Sequence, residues 1–212
     1  MIGSRQVIGI GGMGMNKTSV AVLGTLADFH REPIAYDLGA LLGLVKGLEP
    51  DLLCLDITRE EWATQDFASL PPEYREALVP LARQTDIVVV PVADARPRPE
   101  PVLRGLRGAI GARVMQALAY LQRSAPSPAA INQGLRHHLA NLLYEVLTGL
   151  QGGDLRRDAI LHASRLASNV LQAVRRDPGC RVLVVVNVRY CHYLRRNLRS
   201  YVDLQVVPFA EL

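Results

Sequence analysis

The chain has 212 residues, 49% of them hydrophobic and 21% charged. That balance excludes extensive disorder and leaves room for one domain with a sizeable core. No apolar run reaches the roughly 18–20 residues of a membrane helix, and the opening MIGSRQVIGIGGMG lacks the continuous apolar core of a secretion signal, so a cytoplasmic protein is expected.

Three cysteines, Cys54, Cys180 and Cys191, without a CxxC pair, speak against a disulfide framework or a four-ligand zinc site. The net charge of +4 hides a division. Residues 1–100 carry nine Lys/Arg against 14 Asp/Glu, and residues 101–212 carry 15 against six. Only Lys17 and Lys46 are lysines, so arginine dominates the basic half. A basic half suits an anionic partner, but no RNA- or DNA-binding motif accompanies it, so nucleic acid is not expected.

In chain order, Ser19–Leu23, Leu52–Ile57, Ile87–Val92 and Val182–Val186 are continuous runs rich in Val, Ile and Leu. Continuous runs suit strands covered on both faces. Gln6–Ile10 and Val202–Val207 are further strand candidates. Tyr36–Leu48 and Pro72–Gln84 carry apolar residues at helical spacing, so strand and helix alternate as in an α/β fold with a mainly parallel or mixed central sheet. After the stiff loop Ala95-Arg-Pro-Arg-Pro-Glu-Pro101, about 75 residues show helical period only. Three helices are expected there: one through Leu103–Leu121, a second through Leu135–Leu150, and a third from Asp154 to Arg176. They form a helical insertion at about 102–177 within a single domain, 1–212.

Two candidate chemistries follow. Gly9-Ile-Gly-Gly-Met-Gly-Met-Asn-Lys-Thr18 approaches GxxxxGK[ST], the loop whose backbone N–H groups wrap a phosphate while lysine reaches its oxygens and the hydroxyl holds magnesium. Lys17 and Thr18 fit, Asn16 replaces the second glycine, and Asp56 would be the magnesium-side acid. This predicts a nucleotide switch binding ATP or GTP with magnesium.

The other candidate begins at Leu23-Gly-Thr-Leu-Ala-Asp-Phe-His-Arg-Glu32. A strand ending in Gly-Thr that releases a loop with Asp28, His30 and Glu32 puts metal-capable groups at the carboxyl end of the sheet, where open α/β sheets bind ligands. Asp56 would end a neighbouring strand at the same edge. Val184-Val-Val-Asn-Val-Arg-Tyr-Cys-His192 reads as a strand running into a loop with Arg189 and His192. Histidines and carboxylates from several strand ends suffice for a metal site or a general acid/base pair.

On these residues the chain resembles the TraB/Tiki family, whose wider superfamily includes erythromycin esterases and haem-binding ChaN-like proteins. The matching pieces are Gly24-Thr25 with His30, Pro50-Asp51 with Asp56, Arg157-Asp158, and Val184–Val186 with His192. Together they touch roughly 18–92 and 154–207. Ala27 stands near the family's first histidine, Asp56 is one methylene shorter than the usual glutamate, and Asn187-Val-Arg-Tyr-Cys191 replaces a small-residue approach to the last histidine. The resemblance implies metal-dependent hydrolysis of a peptide or a small ester or amide, or a degenerate site that binds without catalysis. Its implied metal ligands, for Mn, Co or Zn, are His30, Asp28, Asp56 and His192. Asp56 and His192 are also the acid/base candidates, with Arg157 or Arg189 stabilising an oxyanion. A non-enzymatic module for an anionic partner is the remaining alternative, and a homo-oligomer is compatible with each.

Three further features carry expectations. Cys191 beside His192 is a catalytic pair only if the two reach each other in space. Asp158, His162, Arg165, Asn169, Gln172 and Arg176 form one polar stripe on the third helix, ordinarily solvated. Its sharper reading has Asp158 and His162, four apart, closing a site formed by the strand ends. His137-His138 reads as partner- or solvent-facing.

Overall fold

The computed structural model describes residues 17–212. Five strands form one sheet: β1 (Thr18–Thr25), β2 (Leu52–Thr58), β3 (Val88–Ala93), β4 (Val182–Asn187) and β5 (Leu204–Val207). All described pairings are parallel and the order is β3-β2-β4-β1-β5. The chain is an α/β fold. The candidate strand Gln6–Ile10 lies outside the described residues.

The continuous apolar runs resolve into period two because both sheet faces are covered. Val20, Val22, Leu52, Cys54, Val182 and Val184 point to one core, against α7 (Gly153–Arg176) and α8 (Cys191–Leu198). Ala21, Leu23, Leu53, Leu55, Leu183 and Val185 point to the other. That second core packs on α1 (Leu38–Leu48) and on the turns from Glu73 into α3 (Val79–Ala82). Asp37 caps α1 by accepting from the Ala40 N–H at 2.8 Å. Thr58 and Glu61 form a capping box that opens α2 (Arg59–Thr64) directly from β2.

β4 lies between β1 and β2, so Val182 faces Val20 on one side and Leu52 on the other. The two N-terminal strands therefore join only through residues more than a hundred positions later. The expected insertion contains α4 (Gly105–Arg123), the short α5 (Pro128–Asn132), α6 (Gly134–Gln151) and α7. α4 and α6 pack around Leu118, Ala140 and Leu147, and α7 covers the sheet. Two expectations are corrected. The segment after β4 is a single 3₁₀ turn, Val188–Tyr190, followed by α8, so Cys191 and His192 lie on a helix and not in a loop. His137 is buried, whereas its neighbour His138 is exposed.

Beyond Val207 no described strand covers the outer edge of β1, and side chains bond to its backbone there. Asn132 from α5 accepts from the Gly24 N–H at 2.6 Å and donates to the Gly24 carbonyl at 3.1 Å. Arg195 from α8 donates to the Val22 carbonyl at 2.8 Å. Unpaired buried backbone groups are costly, which explains these polar side chains in the interior. A Cβ at Gly24 would lie 2.8 Å from Cys191 Sγ and 2.9 Å from Asn132 Oδ1. The glycine of the Gly-Thr pair is thus required by close approach.

Candidate functional site

Parallel strands bring all their carboxyl ends to one edge. There Asp56, two residues before the end of β2, meets His162 of α7 with Nε2 3.1 Å from Oδ2. Asp56 is 6% exposed, and its Oδ1 is buried without a hydrogen-bond partner among the described residues. A carboxylate only accepts, so the pair places the His162 proton on Nε2 and the lone pair on Nδ1. Nδ1 makes no hydrogen bond among the described residues and is not among the buried unpaired atoms. His162 lines an adjoining cleft of about 280 Å³, together with Arg96, Arg98, Asp158 and Arg165.

The surroundings hold this pair in place. The Tyr190 ring lies 5.0 Å from the His162 ring, centre to centre. Burial and the nearby Asp56 raise the Tyr190 phenol, while Arg189 opposes that rise. Arg96 donates to the Asp56 carbonyl at 3.0 Å and to Glu61 at 2.7 Å, tying the loop after β3 to the end of β2. Asn169 donates to the Val92 carbonyl and to Asp94, anchoring α7 on the end of β3. Arg98 pairs with Asp158 at 3.5 Å across the cleft.

The ligands implied by the family resemblance do not share one cluster. His30 is buried, with Nε2 accepting from the Leu26 N–H at 2.9 Å and Nδ1 donating to the Tyr36 carbonyl at 2.8 Å. Both nitrogens are committed to backbone, and burial holds the imidazole below its ordinary range. Asp28 is exposed. His192 pairs with Glu145 of α6 at 3.2 Å, and Tyr193 and Arg156 bind the same carboxylate. Among the described residues no group of three or more His, Cys, Asp or Glu side chains is placed to hold a metal ion.

The remaining candidates divide. Arg189 lies with Tyr190 beside the Asp56–His162 pair, bound to Glu100. Arg157 points away, 84% exposed and paired with Asp154. Cys191 is buried, its thiol is pushed up to about 11 by burial, and its Sγ turns toward the Asn187 carbonyl, so no Cys191–His192 pair forms. Lys17 and Thr18 occupy the opposite edge of the sheet. Thr18 opens β1, its N–H donating to the Asp203 carbonyl and its hydroxyl accepting from Gly179 N–H. A phosphate loop needs this Lys-Thr pair to open a helix, with the magnesium acid at the same edge as the loop. Here the pair begins a strand and Asp56 lies at the far edge. The glycines of that motif lie outside the described residues.

Within the polar stripe on α7, His162 reaches Asp56 near the end of β2, and Asp158 reaches Arg98 in the loop after β3. Arg96 and Tyr190 were missed as site residues. The one available signal for Arg96 was its place three residues after a strand end. No protein-family model matches the chain, and neither curated proteins nor solved structures match it.

Proposed function

We propose that the chain is a TraB/Tiki-like hydrolase in which Asp56 and His162 perform general acid/base chemistry on a peptide or a small ester or amide. The observation that carries the reading is the 3.1 Å contact between buried Asp56 and Nε2 of His162, whose side chain lines the adjoining cleft. Asp56 orients the ring and steadies the charge it acquires. His162 Nδ1 takes a proton from water as the water oxygen attacks the substrate carbonyl, and the same proton passes to the leaving amine or alcohol as the tetrahedral adduct collapses. The arginines lining the cleft, Arg165 in particular, supply positive charge for the oxyanion. Arg96 and Arg98 are paired with Glu61 and Asp158, and Arg165, without an ion-pair partner among the described residues, favours a substrate that carries an acidic group.

The test is hydrolysis of a panel of peptides, esters and amides by the purified chain. His162→Gln and Asp56→Ala are expected to lower turnover by a factor on the order of 10²–10⁴, with the circular dichroism spectrum retained. Absence of turnover across the panel, or turnover indifferent to His162→Gln, overturns the reading.

A second reading, metal-assisted hydrolysis, is favoured by the buried, unpartnered Oδ1 of Asp56. Asp56 and His162 would be the protein donors, and a divalent ion would supply polarisation of the substrate carbonyl. Titration with Mn²⁺, Co²⁺ or Zn²⁺ tests it, since stoichiometric binding must disappear in Asp56→Ala.

A further inference from the structure

We propose that the α4–α6 hairpin docks on an anionic lipid bilayer, independently of any chemistry at Asp56 and His162. The hairpin leaves a row of large apolar side chains outside the core. Leu106 is 78% exposed and Ile110 42% on α4, while Leu135 is 84%, Leu139 42%, Leu142 59% and Val146 42% exposed on α6. On α6 they step by four, three and four.

Both rows belong to one face. Arg136 reaches the Leu121 carbonyl, and Gly111 lies next to Leu147, so the helices run antiparallel. Each residue turns the helix by about 100°. Measured from the contact residues Leu118 and Ala140, Leu106 and Ile110 lie about 80–120° round α4, and the α6 row lies about 100–160° round α6 in the same sense. In an antiparallel pair the same sense of rotation leads to the same side.

Charge identifies the occupant. No Asp or Glu occurs between Glu100 and Glu145, whereas that stretch holds Arg104, Arg107, Arg113, Arg123 and Arg136. Arg104, Arg107 and Arg113 are exposed and have no ion-pair partner among the described residues, and Arg113 continues the spacing of Leu106 and Ile110. A second copy would set like charge against like charge. A partner helix needs a groove for its anchoring side chains, but these side chains protrude. Protruding aliphatic groups beside Arg113, with exposed Arg104 and Arg107 at the start of the same helix, match the headgroup and acyl boundary of an anionic membrane. No described helix is long and apolar enough to cross a membrane, so the contact is with the surface only.

The test is co-sedimentation of the purified chain with vesicles of phosphatidylcholine alone or mixed with phosphatidylglycerol. Binding is expected on the anionic vesicles only and should weaken as salt is raised. At about 1 kcal/mol per arginine near the surface, Arg104→Gln, Arg107→Gln and Arg113→Gln together should weaken it on the order of a hundredfold. Leu106→Asp with Leu142→Asp should abolish it; both sites are exposed, so the urea midpoint serves as the folding control. Equal partition to neutral and anionic vesicles, or binding untouched by both sets of variants, overturns the proposal. A concentration-dependent dimer broken by Leu142→Asp would assign the face to a second copy and overturn it as well.

Discussion

Asp56 and His162 are 106 positions apart in the chain and meet at 3.1 Å across the carboxyl edge of the sheet. Their contact sets which ring nitrogen of His162 carries the proton. Nitrogen-resolved NMR of the imidazole is expected to show the Nε2–H tautomer in the wild type. In Asp56→Ala the acceptor is gone, and the ring should shift toward the mixture seen for free imidazole. An Nδ1–H tautomer in the wild type would contradict the arrangement.

Asn132 and Gly24 make a second long-range pair with a measurable role. Asn132→Ala leaves the Gly24 N–H unsatisfied inside the protein, and the cost is expected to be about 1–3 kcal/mol, read from urea unfolding. Gly24→Ala drives a methyl into Cys191 Sγ and Asn132 Oδ1, and overpacking of this kind typically costs about 1–3 kcal/mol. Because the two sites touch, the double variant should be less destabilised than the sum of the singles.

His137 gives a pH dependence with a definite sign. Burial, then the neighbouring Arg195, hold its pKa at about 4 against an ordinary 6.5. The unfolded chain therefore takes up a proton below 6.5 that the folded chain refuses, so stability falls as pH drops from 6.5 toward 4. A shift of that size corresponds to a loss on the order of 3 kcal/mol. His30 and His192, both lowered chiefly by burial, act in the same direction. His137→Gln should flatten the urea midpoint across this range.

Glu73 has the opposite sign. It is 1% exposed in the first turn leading to α3. The Thr25 hydroxyl and Ala27 N–H lie near, but neither carboxyl oxygen completes a hydrogen bond with them. Burial dominates and raises its pKa above 4.5. The folded state then holds a proton that the unfolded state releases, and stability falls as pH rises from 4.5 through the raised value. Glu73→Gln removes the ionisation, so its thermal midpoint should exceed that of the wild type at neutral pH and approach it in acid.

Much of the fold was legible in residue order. The runs at Leu52–Ile57 and Val182–Val186 lie within observed strands, and the spacing of Leu135, Leu139, Leu142 and Val146 marked a true helix. That row is the exposed face of α6 and not its buried one; on a helix with two apolar stripes, periodicity cannot say which faces the core. At the site, Asp56 was legible as a strand-end acid, and His162 as one member of a polar stripe. His30 was read as a ligand because a loop after a strand commonly carries function, yet its nitrogens serve the backbone of Leu26 and Tyr36.

By itself the sequence determined where chain segments are strand or helix and which charge each half carries, since propensity and apolar period act over a few neighbouring residues. Tertiary structure decided the rest. It set β4 between β1 and β2 and brought Asn132 onto the backbone of Gly24. It chose His162, not His30 or His192, for Asp56. Those pairings span more than a hundred residues, and they depend on how strands order and helices cross, which no local pattern encodes.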